Sequence, residues 1–142
     1  MRQHLLRVEQ PAAEYAELIA AVRDEELWVG WLELAEATPD PLPSALAEAA
    51  ELDVLRAVAV GAGRSVAVKP MRGQPVLRDL LREHFRGCTL VLIRGAVDSP
   101  FLEPWGHDWR VTAGGEARGY TTVELIAALR RPRPWDSQAA GS

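Results

Sequence analysis

One cysteine, one lysine and no long apolar run set the first limits on this chain. Cys88 alone cannot close an intramolecular disulfide, so a packed core has to hold the fold, and this cysteine usage fits a reducing, cytoplasmic setting. No stretch approaches the roughly 20 consecutive apolar residues of a membrane helix. Residues Met1–Gln10 have neither the apolar core nor the small-residue cleavage site of a signal peptide. The phosphate-loop order Gly-x-x-x-x-Gly-Lys-Ser/Thr is missing. Val66-Ala-Val-Lys69 follows Gly61-x-Gly63 as a kinase lysine strand would, but no His-Arg-Asp or Asp-Phe-Gly comes after it. The three histidines stand far apart with no second ligand-type motif, so nothing marks a metal site and nothing specifies a cofactor.

What is present is an ordinary folding composition. Hydrophobic residues make up 48% and charged residues 25% of 142 positions, enough for one domain with a real core. We expect a single domain over residues 1–131 and a flexible tail over 132–142, with Trp135 able to dock back on the fold. The net charge of −4 hides a division. Up to Asp53 there are twelve acidic and three basic residues; from Val54 onward there are eight acidic and thirteen basic. Two such halves can attract each other in the fold, or the basic half can face a partner. Fifteen of the sixteen basic residues are arginine, a usage that a GC-rich, bacterial-type genome produces without any nucleic-acid role. The overall acidity and the lack of aromatics interleaved with the arginines argue against nucleic acid as partner.

Taken in order, Leu5, Leu6 and Val8 suggest a short edge strand or an ordered lead-in. Pro11 opens a helix whose Tyr15, Leu18, Ile19 and Val22 form one apolar stripe. Leu27–Leu34 fits a helix face as well as a strand; Trp, Val and the short run favour the strand, with Gly30 marking a bulge or a close approach. The prolines of Ala37–Pro43 enforce a loop, and a short Ala-rich helix follows from Pro43 or Ser44 to Leu52. Leu55–Val60 and Ser65–Lys69 read as a hairpin, with Val58, Val60, Val66 and Val68 on one face and the alanines on the other.

Residues Ser65–Gly95 read strand, loop, helix, strand, and are expected to form the centre of the fold. Pro75 starts the helix, Leu77, Leu80 and Leu81 give its apolar face, and Gly87 follows its end. Thr89–Ile93 has no polar alternation, so that strand should be covered on both faces. If its neighbour is the Ser65–Lys69 strand, the connection is a parallel crossover. Val66, Val68, Leu77, Leu80, Leu81, Leu90 and Leu92 are the expected core. Ala96–His107 reads as a long connection, Asp108–Thr112 as a strand turning at Gly114–Gly115 into Ala117–Tyr120. Thr121 and Glu124 make a capping box for a final helix through Val123, Leu125, Ile126 and Leu129. This order implies an α+β fold, an α/β sandwich with a mixed sheet of about four to six strands and about four helices.

Two places carry candidate chemistry. The loop Lys69–Gln74 precedes a helix, and Lys69, Arg72 and Arg94 would gather at one strand end if their strands ran parallel in one sheet, offering an anion site. The second is Glu103-Pro-Trp-Gly-His-Asp-Trp-Arg110, where His107 and Asp108 are candidate acid–base groups. Against it, no nucleophile is placed nearby, and the tryptophans can simply anchor a loop. Arg78, Arg82 and Arg86 share a helix face, with Asp79 and Glu83 placed to pair with them. The leading expectation is a small cytoplasmic module without a catalytic centre, working through a protein partner or as a homo-oligomer. The alternative is an enzyme or sensor for a phosphorylated or carboxylated small molecule.

Overall fold

The computed structural model describes residues 3–34, 44–52, 54–69, 71, 73 and 76–136. The prolines of 37–43, Pro70, Arg72 and Gln74 of the expected anion loop, and Pro75, expected to start the helix, lie outside the described residues. The fold is α+β, with eight strands and four α-helices among the described residues. In chain order these are β1 (His4–Val8), a 3-10 turn (Ala12–Tyr15), α1 (Ala16–Asp24), β2 (Val29–Glu33), α2 (Ser44–Glu51), β3 (Ala57–Val60) and β4 (Ser65–Val68). Then come α3 (Leu77–His84), β5 (Leu90–Arg94), β6 (Phe101–Trp105), β7 (Asp108–Ala113), β8 (Glu116–Tyr120) and α4 (Thr122–Leu129). They form two compact units, Met1–Leu34 with Phe85–Ser142, and Ala35–His84. No helix of the described residues is long and apolar enough to cross a membrane.

The larger unit is built on a mixed six-stranded sheet in the order β2-β5-β1-β6-β7-β8. β5 pairs parallel with β2 and β1, β1 touches β6 in parallel at Arg7 and Phe101, and β6-β7-β8 is an antiparallel meander. β1 is therefore an interior strand, not the edge strand or lead-in expected. Its alternation explains why: His4, Leu6 and Val8 are buried while Leu5 and Arg7 are half-buried. In β5, Leu90, Val91, Leu92 and Ile93 are all fully buried, as its unbroken apolar run requires. β2 confirms the strand reading of Leu27–Leu34, placed at the sheet edge.

One face of the sheet carries the core. Leu6, Leu92, Leu102, Trp109 and Val111 pack against Tyr15, Leu18 and Val22 from the first helical segment and against Leu125, Ala128 and Leu129 of α4. The capping box at α4 is formed: Thr121 Oγ1 accepts from the Glu124 N–H at 3.1 Å, and the Glu124 carboxylate accepts from the Thr121 N–H at 2.9 Å. Val123, the first apolar residue of that helix, points to solvent. Beyond Leu129, Trp135 is buried edge-on against Tyr120, 5.6 Å between ring centres, the docking that the sequence allowed. Residues 137–142 of the expected tail lie outside the described residues.

The cap gives a first measurable consequence. Thr121→Ala should destabilise by about 1 kcal/mol, the usual worth of an N-cap side chain. The Thr121 backbone N–H donated to Glu124, followed by the Thr121 hydroxyl, holds that carboxyl below its ordinary pKa. A depressed folded pKa stabilises above the unfolded value of about 4.3 and is lost as pH falls through the folded one. The difference in urea midpoint between wild type and Glu124→Gln should therefore shrink on acidification from about pH 7 to about pH 3; an unchanged difference would contradict the assignment.

The smaller unit holds α2, the β3–β4 hairpin and α3. The hairpin forms as expected, but as its own two-stranded sheet, so β4 and β5 do not share a sheet and no parallel crossover joins them. Its faces also differ from the expected division. Register pairs Ala57 with Val68 and Ala59 with Val66, so those four share one face, and Val58, Val60, Ser65 and Ala67 share the other. Of the expected core, Leu90 and Leu92 are fully buried; Val68, Leu77, Leu80 and Leu81 are only half-buried and Val66 is exposed. A strand face is buried only when another layer covers it, and local alternation cannot supply that layer.

Candidate functional site

Lys69 directly follows β4, and its ammonium is held by Glu83 of α3 within the smaller unit. That contact, ahead of all other influences, lowers the Glu83 pKa. Glu83 therefore reaches Lys69 instead of the arginine stripe, whereas Asp79 does pair with Arg82 at 2.6 Å. Arg94 ends β5 in the larger unit. Its Nε donates to the Glu9 carbonyl at 3.2 Å, and Nη1 lies 3.5 Å from Glu33, which also accepts from the Trp31 indole at 3.0 Å. The shared-sheet argument that would align Lys69 with Arg94 does not apply, since their strands belong to different sheets. Arg72 lies outside the described residues.

The second candidate is resolved strand by strand. Phe101–Trp105, expected as part of a long connection, is β6, and only Gly106 and His107 separate it from β7. Gly106 takes the positive φ of 64° that a two-residue hairpin turn needs at its first position. His107 is therefore an exposed turn residue, and Asp108 is the exposed first residue of β7. Alternation splits the rest across the sheet. On one face, Glu103 pairs with Arg110 at 3.0 Å, and the Arg110 guanidinium lies 3.8 Å from the centre of the Trp105 ring. On the other, Trp109 is buried, stacks on Tyr15 at 5.8 Å and donates to Thr122 Oγ1 at 3.0 Å. Trp109 anchors the hairpin to the core; Trp105, at 55% exposed, does not. Among the described residues no group of three His, Cys, Asp or Glu side chains could hold a metal ion. Burial raises the pKa of Cys88, which disfavours the reactive thiolate.

Two features escaped the sequence reading. One is the apolar surface of the smaller unit. Only Leu46 is buried among its described residues, while Leu52, Val54, Leu55, Val58, Val60, Val66, Met71 and Val76 are each between 40% and 80% exposed. The other is His4, read as an isolated residue. It shares the core face with Leu6 and Val8, and that alternation was the available signal. Its Nε2 lies 2.8 Å from the Leu129 carbonyl at the end of α4. Comparison with known protein families and with curated proteins finds no match for this chain.

Proposed function

We propose that the protein is a bacterial-type cytoplasmic module that acts by binding rather than catalysis, associating with a second copy of itself through the smaller unit. The observation that carries this reading is the imbalance within that unit: eight large apolar side chains exposed against one buried. A free two-stranded sheet is marginal in water, and the outer edges of β3 and β4 have no strand partner among the described residues. Charge favours a second copy as occupant. Residues 54–69 carry Arg56 and Arg64, besides the Glu83-paired Lys69, and no acid, whereas Glu14, Glu17 and Asp24 are exposed on the first helical segment. Each copy thus offers both signs. Anion capture through Lys69, Arg72 and Arg94 has less support, because Lys69 and Arg94 already have carboxylate partners.

Sedimentation equilibrium from micromolar to submillimolar concentration tests the proposal. A dimer is expected, weakened by raised salt as the exposed charges are screened. The double substitution Val58→Lys, Val60→Lys, on one exposed face of β3, should give a monomer with an unchanged far-UV spectrum. A wild type that stays monomeric across the whole range overturns the reading.

A further inference from the structure

We infer that the larger unit carries a binding site for a small organic anion, an acidic head on an apolar, ring-sized body. The site is a cleft of about 470 Å³ lined by His4, Leu27, Thr89, Leu129, Arg130, Arg131 and Pro132. That volume falls in the usual range for small-molecule pockets. His4 begins β1 and Thr89 directly precedes β5, so the cleft opens at the N-terminal ends of the central parallel strands, the opposite end from Arg94. It needs neither the proposed self-association nor the smaller unit.

The lining sets the chemistry of the ligand. Leu27, Leu129 and Pro132 offer apolar surface. The cationic groups are the guanidiniums of Arg130 and Arg131, Thr89 adds a hydroxyl, and no carboxylate lines the cleft. His4 and Thr89 are 7% and 3% exposed, so both are held in place from within the fold. A carbonyl oxygen can only accept, so the contact with Leu129 puts a proton on His4 Nε2. The carbonyls at the end of α4 are also occupied: Ala127 and Ala128 accept from the N–H groups of Arg130 and Arg131 at 3.2 and 3.0 Å. The negative helix end that would repel an anion is therefore largely satisfied. Arg130 is balanced by Glu25 at 3.0 Å. Arg131 is exposed at the rim and leaves the cleft with a net positive charge, suited to a charge-assisted bond to a carboxylate or phosphate.

The test is a titration of the ¹⁵N-labelled protein, followed by amide NMR, with 2-naphthoate and 2-naphthyl phosphate as anionic probes and 2-naphthalenemethanol as the uncharged control. Saturable shifts are expected at Leu27, Thr89, Arg130 and Arg131 with at least one anion, and about tenfold weaker binding of the alcohol. Arg131→Glu, an exposed change that leaves the fold intact, should weaken the anion by at least about tenfold. The proposal is overturned if neither anion gives saturable shifts at these amides by millimolar concentration. Equal binding of the alcohol, or unchanged affinity in Arg131→Glu, overturns it as well.

Discussion

Trp109→Ala is expected to destabilise the protein by about 3–5 kcal/mol, the usual loss for a buried aromatic truncated to alanine. A domain of this size is typically stable by only about 5–15 kcal/mol, so a large part of the folding free energy is at stake. Three contacts make Trp109 costly to remove. The indole is almost wholly buried on the core face of β7, so its loss leaves a cavity. Its ring stacks on Tyr15 at an interplanar angle of 18°, and Tyr15 in turn meets Trp31 of β2 at 5.9 Å. Its Nε1 donates to Thr122 in the first turn of α4. One side chain thus ties the antiparallel meander to the helical layer above it.

The neighbouring tryptophan supplies the control. Trp105 lies on the opposite face of the same hairpin and is half-exposed, with the Arg110 guanidinium over its ring. Trp105→Ala removes a half-buried ring and a solvent-exposed cation–π contact but leaves no core cavity, so it should cost about 1–2 kcal/mol. Urea unfolding of both variants gives the comparison directly. Equal losses would mean that the strand alternation separating the two rings is wrong.

These two residues also show what was legible in the sequence. The elements carried by local signals were recovered: the stripe Tyr15–Leu18–Val22, the unbroken apolar run of β5, the Gly114–Gly115 turn and the Thr121–Glu124 cap. β6 was lost because Pro100, Pro104 and Gly106 read as breakers. The fold tolerates Pro104 because β1 pairs with β6 only at Phe101, leaving that edge open where a missing N–H is harmless. The interior position of β1 and the separation of β4 from β5 depend on pairings between residues far apart in the chain, and five-residue patterns do not encode them. The expected convergence of Lys69, Arg72 and Arg94 rested on a shared sheet, and β4 and β5 lie in different sheets. The cleft beside His4 is assembled from four separate segments, and no local motif marks it.

Gly30→Val separates two effects that act with opposite sign. By strand propensity alone it should stabilise β2, since valine suits a strand and glycine does not. Packing opposes this. A Cβ at Gly30 would lie 2.9 Å from Phe85 Cε1, closer still to Cδ1, and 3.2 Å from Cys88 Sγ. The Phe85 backbone is held at its carbonyl, which accepts from Gln3 Nε2 and from the Cys88 N–H at 3.1 Å, so relief of the contact has to come from the ring leaving its packed position. Two further methyl groups on a β-branched side chain deepen the clash. Overpacking of this kind costs about 1–3 kcal/mol and should outweigh the propensity gain, so a net loss in denaturant midpoint is expected. Gly63→Ala, where a Cβ would meet nothing within 4 Å, should change stability by no more than about 0.5 kcal/mol. Phe85→Leu combined with Gly30→Val should recover part of the loss, since the smaller side chain relieves the contact and neighbouring sites are not additive. A stabilised Gly30→Val would show that propensity wins and that Phe85 does not pack on this glycine.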